Sequence, residues 1–170
     1  VQIAKWLGAD VTGVCSTRNV DLVSGLGADR VIDYTSEDIL KTDERYDVIF
    51  DLVGDKPLLA LRHILTPKGK WVGGGVLGVD ASMVSMIVSS LKTPMLSLFT
   101  GQKFGSFMTG TGNDDLEVLA ELIGSGKIIP VIDRTFSLDE VPEAIRYVAG
   151  KHARGKVVIS VEDRCGRPPN

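Results

Sequence analysis

Hydrophobic residues near the start of the chain switch between helical spacing and short apolar runs. The segment "VQIAKWLGAD" has helical spacing and stops at Gly8, and "NVDLVSGLGA" forms a second amphipathic pattern. The apolar runs "DVTGVCS" and "DRVIDY" predict strands. "TSEDILK" predicts a short helix capped by Thr35 or Ser36. This alternation predicts βα units around a mostly parallel sheet, and therefore the α/β class.

The rest of the chain continues this rhythm more loosely. "YDVIFDLVG" predicts the most strongly buried strand, "KPLLALRHIL" a helix, "TPKG" a turn, and "KWVGGG" a strand that runs into Gly73, Gly74 and Gly75. "LFTGQKFGSFMTG" contains a strand, "DDLEVLAELIGSG" a helix, and "KIIPVIDRTF" an extended segment. "SLDE" at Ser137 to Glu140 predicts a capping box that opens a helix, and "KVVISV" is the last strand.

Composition and charge exclude several classes of function. The chain has 170 residues, of which 44% are hydrophobic and 24% charged, with a net charge of −3. It has no run rich in Lys and Arg, so we expect no nucleic-acid partner. The stretch "MVSMIVSSL" is too short and too often interrupted by serine to span a bilayer, and no basic-then-apolar leader opens the chain. We therefore predict a cytoplasmic protein without a membrane partner.

Few side chains are suited to metal binding or to nucleophilic catalysis. Cys15 lies in a predicted strand and Cys165 in a polar tail, so a disulfide framework or a paired-cysteine metal site is not expected. Cys15 is best interpreted as a small buried hydrophobic residue. His63 and His152 are far apart in sequence. We predict no metal ligand and name no catalytic residue within this chain.

The predicted sheet is incomplete at its centre. The chain opens inside a helix, whereas a doubly wound nucleotide-binding sheet begins with a central strand and a glycine-rich turn that binds pyrophosphate. Without that strand, "DVTGVC" and "DVIFDLV" would each show an unpaired apolar edge. We expect either a fragment, or a gap filled by another segment or by a second copy of the chain.

Several of these segments, in the same order, resemble one enzyme superfamily. The run "VQIAKWLGADVTGVCSTRNVDLVSGLGADRVIDY", followed by "YDVIFDLVG", "LTPKGKWVGGG" and "GKIIPVIDRTFSLDEVPEAIRYVAGKHARGKVVI", resembles the C-terminal half of medium-chain dehydrogenases/reductases. It looks most like the zinc-independent quinone oxidoreductase branch. The resemblance spans about residues 1–162, whereas the N-terminal catalytic domain, the first strand and the glycine motif of that superfamily are absent.

The resemblance implies a fold and a domain organisation. The expected architecture is an incomplete doubly wound Rossmann-type parallel sheet with a C-terminal segment that returns to the catalytic domain. Residues 1–110 would form a partial NAD(P)-binding Rossmann domain. Residues 111–162 would supply a helix and a segment that packs on the missing catalytic domain, and residues 163–170 would be a tail.

The end of the second predicted strand carries the residues that would choose the cofactor. An acid at this position of a Rossmann fold binds the ribose 2′-hydroxyl of NAD, whereas a nearby arginine accommodates the 2′-phosphate of NADP. Here the position is Ser16, and Arg18 offers a planar set of donors to which the hydroxyls of Ser16 and Thr17 add. Tyr34, at the end of the next strand, is placed to reach the same phosphate. The alternative is that Ser16 and Thr17 only cap a helix, and we favour NADPH.

A second group of candidates lies at the ends of the later strands. Val53 and Gly54 end a strand at the edge where α/β folds bind ligands, although Gly54 is also suited to a plain turn. Asp51 is interpreted as a structural hydrogen-bond acceptor. The resemblance places the nicotinamide near Gly74 and Gly75, where a missing Cβ permits close approach.

Two further sites have equal alternatives. The resemblance makes Phe107 a cofactor contact, although an aromatic residue in a core or dimer contact fits as well. Arg154 and Lys156 are expected near the cofactor, with solvated surface charge as the alternative.

The predicted function follows from this cofactor site. We predict the NADPH-binding portion of an oxidoreductase that transfers hydride to a quinone or an activated alkene, inactive alone, with the dinucleotide and a small-molecule substrate as its ligands. The alternatives are a fragment of a zinc-dependent alcohol dehydrogenase and a non-catalytic oligomeric remnant. We expect a homo-oligomer, formed through the strand at residues 104–109 or by filling the missing strand.

Overall fold

A computed structural model describes residues 1–74, 101–106, 113–150 and 153–161 of the chain. Helices and strands alternate, as the α/β prediction requires. The chain divides into two compact units, one made of residues 1–31 and 112–170 and the other of residues 32–111. The predicted functional division into residues 1–110, 111–162 and a tail at 163–170 stays a prediction.

The N-terminal part of the first unit follows the predicted order of elements. Its elements are helix α1 (Gln2–Trp6), strand β1 (Thr12–Cys15), a 3₁₀ turn (Thr17–Asn19), helix α2 (Val20–Gly25) and strand β2 (Arg30–Asp33), which begins in this unit. Strands β1 and β2 form a two-stranded sheet. The carboxylate of Asp29 accepts hydrogen bonds from the Lys5 ammonium at 2.7 Å and from the Val11 amide at 2.7 Å, which ties α1 to the start of β1.

The second unit contains a three-stranded parallel sheet in the order β3-β4-β5. Asp51 at the end of β3 pairs with Gly73 at the end of β4, and Trp71 of β4 pairs with Phe104 of β5. Burial of Leu61, Ile64, Leu65 and Phe104 provides its core. The elements are a 3₁₀ turn (Ile39–Lys41), β3 (Tyr46–Asp51), α3 (Leu58–Leu61) with its 3₁₀ extension (Arg62–Ile64), β4 (Leu65–Gly73) and β5 (Lys103–Ser106).

Three sequence predictions for this unit are wrong in detail. The "TPKG" segment is part of β4 and not a turn. The short helix after β2 is capped by Asp38, which accepts from the Leu40 amide at 3.1 Å, and not by Thr35 or Ser36. Strand β3 was expected to be the most buried, yet Val48 and Phe50 are 58% and 54% exposed.

The C-terminal part of the first unit is a βαβ arrangement. Strands β6 and β7 pair in parallel, with Thr135 opposite Val158. The predicted capping box is confirmed, because the carboxylate of Glu140 accepts from the Ser137 amide at 2.8 Å. The box lies directly before the helix that begins at Val141. The elements are α4 (Asn113–Gly124), β6 (Ile132–Ser137), a 3₁₀ turn (Leu138–Glu140), α5 (Val141–Ala149) and β7 (Lys156–Ser160).

Candidate functional site

The loop after β1 presents the residues that the sequence assigned to the cofactor phosphate. Strand β1 ends at the buried Cys15, and Ser16 has an extended backbone. The 3₁₀ turn follows, and the Asn19 amide donates to the Ser16 carbonyl across it at 2.8 Å. Thr17 and Arg18 are the exposed residues at the start of this turn. The guanidinium group of Arg18 is therefore available to a ligand at the carboxyl end of the strand.

Arg154, which lies far away in sequence, reaches the same loop. Its Nε donates to the side-chain oxygen of Asn19 at 3.0 Å, across 135 positions of the chain. The Asn19 side-chain nitrogen lies 3.5 Å from the Ser16 hydroxyl, at the limit of hydrogen-bond distance. Two of the predicted cofactor segments, the turn after β1 and the turn before β7, are thus joined in one place.

A carboxylate and a tyrosine support Arg154 from β6 and α5. Asp133 Oδ2 accepts from the Arg154 backbone amide at 3.0 Å and from the Tyr147 hydroxyl at 2.7 Å. The guanidinium group of Arg134 lies 4.3 Å from the centre of the Tyr147 ring, which is a cation–π contact. We refer to Arg18, Arg134 and Arg154 as the arginine cluster.

The surroundings of Asp133 and Tyr147 shift the pKa values of both side chains. The hydrogen bond from the Arg154 amide, followed by the one from the Tyr147 hydroxyl, lowers the pKa of the Asp133 carboxyl. The hydrogen bond to Asp133 raises the pKa of Tyr147, and the positive charges of Arg134 and Arg18 oppose that rise. Among the cluster, Arg134 covers the ring of Tyr147 directly, and Arg154 contacts its hydrogen-bond partner Asp133.

An open cavity of about 480 Å³ lies beside Arg154. The turn that carries Arg154 is held against Val131, because the Lys156 amide donates to the Val131 carbonyl at 2.7 Å. On the other side, the side-chain amide of Gln2 makes two hydrogen bonds with the Ile129 backbone, at 3.0 and 2.8 Å. The lining residues are Gln2, Ile129, Pro130, Val131, Ala153, Arg154, Gly155 and Lys156, so both basic residues predicted in this segment border the cavity.

The remaining candidates lie in the second unit, at the ends of β2, β3 and β4. Tyr34 follows β2 and is 59% exposed. Asp51 Oδ1 accepts from the amides of Val53 at 3.1 Å and Gly54 at 2.8 Å, which confirms its interpretation as a structural acceptor. Gly54 has a φ of 69°, so the turn requires glycine there.

The amide of Gly74 donates to the Asp51 carbonyl at 2.9 Å, which brings Val53, Gly54 and Gly74 to one end of the β3-β4 pair. Val53 is 77% exposed at this edge. Two further predicted contacts, Gly75 and Phe107, lie outside the described residues.

The sequence missed Asp133, Arg134 and Tyr147. A tandem acid and arginine in "VIDRTF" was visible, but hydrophobic spacing gives no information on which distant loop such a pair will face. The tertiary contact between Arg154 and Asn19 connects these residues to the loop that carries Arg18. In the part of the chain that the structure describes, no group of three or more His, Cys, Asp and Glu side chains is arranged to hold a metal ion.

Comparison with known proteins identifies relatives among oxidoreductases. A family described as zinc-binding dehydrogenase matches residues 26–159. The chain is 37% identical over 177 aligned residues to the mitochondrial NAD(P)H oxidoreductase RTN4IP1 of Mus musculus, covering 95% of this chain and 44% of that protein. It is 32% identical to the chloroplastic NADPH-dependent alkenal/one oxidoreductase of Arabidopsis thaliana, covering 94% of this chain and 36% of that protein.

Solved structures share the fold. The quinone oxidoreductase from Coxiella burnetii superposes with a TM-score of 0.75 at 26% identity, covering 95% of this chain and 48% of that one. The chain thus spans less than half the length of these relatives. Among the helices that the structure describes, none is long and apolar enough to cross a membrane.

Proposed function

Because this chain belongs to the zinc-binding dehydrogenase family of the medium-chain dehydrogenase/reductase superfamily, we propose that it is the NADPH-binding portion of an oxidoreductase that reduces a quinone or an activated alkene. The names of the relatives support this class, since they include an NAD(P)H oxidoreductase, an NADPH-dependent alkenal/one oxidoreductase and a quinone oxidoreductase. We expect the chain alone to be inactive, because it spans less than half of each relative.

The arginine cluster is the observation that carries the preference for NADPH. A ribose 2′-phosphate adds roughly two negative charges, and guanidinium groups bind phosphate oxygens with two parallel hydrogen bonds. Arg154 binds Asn19, the residue after Arg18 in the loop after β1, where Ser16 replaces the acid that would bind the 2′-hydroxyl of NAD. The residues present therefore fit a 2′-phosphate better than a 2′-hydroxyl.

The roles that remain are divided between the two ends of the cofactor. We assign Ser16, Thr17, Arg18, Tyr34, Arg154 and Lys156 to the phosphate end. Val53, Gly54, Gly74, Gly75 and Phe107 are assigned to the nicotinamide end, where residues without a Cβ permit close backbone approach. The bound cofactor would supply the hydride, while the chain binds and orients it. We name no proton donor in this chain.

Calorimetric titration with NADPH and NADH tests this function. For the intact chain we expect tighter binding of NADPH than of NADH. Replacing Arg18 with alanine removes a charge-assisted contact worth about 1.5–3 kcal/mol, so NADPH affinity should fall roughly ten- to a hundredfold while NADH affinity stays. Arg45→Ala is the matched control, because Arg45 is an exposed arginine whose side-chain hydrogen bonds, within the described residues, go to backbone carbonyls of the second unit. Equal affinity for the two cofactors in the unmodified chain would contradict the proposal.

A homo-oligomer is a second candidate role, supported by the sheet of the second unit. In the described order β3-β4-β5, the two outer strands are β3 and β5, and the exposed Val48 and Phe50 lie on β3. Apolar strand edges of this kind favour pairing with another chain. Light scattering over a range of concentrations should give more than the monomer mass of 18.3 kDa, and Phe50→Lys should lower it. A monomer at all concentrations would refute this role.

The cellular compartment stays a prediction. The sequence favours the cytoplasm, whereas two of the relatives are named as mitochondrial and chloroplastic proteins. The zinc-dependent alcohol dehydrogenase alternative likewise stays a prediction.

A further inference from the structure

We propose that Asp133 and Tyr147 act as positioning residues for Arg154 and, through Asn19, for the loop that carries Arg18, so that they set the selectivity for a 2′-phosphate without touching it. This inference rests on the proposed NADPH function. It adds a role for two residues of the C-terminal segment that are connected to the loop through Arg154 and Asn19.

The first step is the fixation of the Arg154 backbone. Asp133 Oδ2 accepts from the Arg154 amide at 3.0 Å. Two residues later, the Lys156 amide donates to the Val131 carbonyl at 2.7 Å. Between them, a Cβ at Gly155 would lie 2.5 Å from the Val131 oxygen, so the turn lies directly against Val131, the residue before β6. The backbone around Arg154 is therefore held at two points.

The second step is the orientation of the Arg154 side chain. Its Nε is bound to the Asn19 side-chain oxygen at 3.0 Å. Within the described residues, neither terminal nitrogen of this guanidinium group makes a hydrogen bond or an ion pair with protein. The group is thus held by one edge while the opposite edge is left for a phosphate, which is the arrangement that two parallel hydrogen bonds require.

The third step is the maintenance of Asp133 as a charged acceptor. The Tyr147 hydroxyl donates to Asp133 Oδ2 at 2.7 Å, and Arg134 covers the Tyr147 ring at 4.3 Å. Hydrogen bonds from the Arg154 amide and the Tyr147 hydroxyl lower the pKa of the Asp133 carboxyl. Removing the Tyr147 hydroxyl should therefore leave the Asp133 carboxylate less firmly oriented, without creating a cavity in the core.

Binding of 2′,5′-ADP and 5′-AMP to the full chain separates positioning from general affinity, because only the first probe carries the 2′-phosphate. For Asp133→Ala and Tyr147→Phe we expect 2′,5′-ADP affinity to fall about three- to tenfold, with 5′-AMP affinity unchanged. Asp133→Asn, which retains an oxygen acceptor, should recover part of the loss. The matched controls are Asp47→Ala and Tyr46→Phe, which remove a carboxylate and a hydroxyl that make comparable exposed hydrogen bonds in the second unit.

Hydrogen exchange without any nucleotide gives an independent readout. Asp133→Ala and Tyr147→Phe should speed the exchange of the Arg154 amide and of the amides in residues 16–19. The two controls should leave these exchange rates unchanged. If Asp133→Ala does not fold, Tyr147→Phe and Asp133→Asn still decide the question.

Each outcome has one meaning. If the unmodified chain binds 2′,5′-ADP no better than 5′-AMP, the proposed NADPH function fails and the inference with it. If the unmodified chain is selective and both variants keep the same ratio, the inference alone is overturned. An equal loss of affinity for both probes, or unchanged amide hydrogen exchange in residues 16–19, also overturns the inference, because positioning must act through the loop.

Discussion

Replacing Gly155 with alanine should break the turn between α5 and β7. An alanine Cβ would lie 2.5 Å from the Val131 carbonyl oxygen, 2.9 Å from its Cγ1 and 3.1 Å from its carbonyl carbon. Because two of these atoms belong to the backbone, no side-chain rotation can relieve the clash. Either the turn or Val131, the residue before β6, must move, and the hydrogen bond from the Lys156 amide to the same oxygen must lengthen from 2.7 Å.

The expected cost combines overpacking and the weakened hydrogen bond. Overpacking of a tight contact costs about 1–3 kcal/mol, and a backbone hydrogen bond contributes about 1 kcal/mol. With a urea dependence of roughly 2 kcal/mol per molar for a protein of this size, the midpoint of unfolding should fall by about 1–2 M.

The two tryptophans allow the effect to be assigned to one unit. Trp6 belongs to the unit that contains Gly155, and Trp71 belongs to the other. In a Trp71→Phe background, fluorescence of Trp6 should show the lowered midpoint, whereas in a Trp6→Phe background Trp71 should show a smaller change. Urea titrations of both backgrounds measure this difference.

Gly25→Ala is the control for loss of a glycine as such. An added Cβ at Gly25 has no heavy atom within 4 Å, so its effect should stay within about 1 kcal/mol, in the stabilising direction. If Gly155→Ala unfolds at the same urea concentration as the unmodified chain, then the close approach of Val131 does not hold the turn, and the backbone around Arg154 is not fixed by it.

Two further perturbations test contacts away from the arginine cluster. Hydrogen bonds from Lys5 and the Val11 amide lower the pKa of Asp29 below its usual 3.8. Asp29 therefore stabilises the fold above that pH, and this contribution is lost as the pH falls through the lowered pKa. The difference in urea midpoint between the unmodified chain and Asp29→Asn should disappear in acid, and a constant difference would contradict the assignment. Gln102 is buried and its amide donates to three backbone carbonyls at 3.0–3.4 Å. Gln102→Met should cost about 1–3 kcal/mol in thermal or urea unfolding, and an unchanged midpoint would mean that these bonds are not net stabilising.

Local patterns predicted most elements of the chain. The spacing of apolar residues located β1, α2 and β2, and the Ser137–Glu140 capping box located the start of α5. These features depend on residues within one or two turns of each other, so they are readable without tertiary structure. The same holds for Asp51, whose carboxylate binds amides two and three residues ahead.

Features that depend on distant parts of the chain were not predicted. The burial of β3 was overestimated because apolar composition does not say what covers Val48 and Phe50. "TPKG" was assigned to a turn because of its proline and glycine, but it lies inside β4, at the irregularity between the pairs Tyr46–Leu65 and Val48–Lys70. Asp133, Arg134 and Tyr147 were missed because their connection to the loop after β1 passes through Arg154 and Asn19, across 135 positions.

The division of the first unit between two distant segments has a consequence for biosynthesis. Residues 1–31 cannot complete their unit until residues 112–170 have been synthesised, whereas residues 32–111 form a continuous unit. During translation, at roughly 5–20 residues per second, the continuous unit can fold first and thereby shorten the loop that must close between the two segments. Until then, the Gln2 side chain of α1 lacks its two hydrogen bonds with the Ile129 backbone, so α1 cannot join its unit before the C-terminal segment has been synthesised.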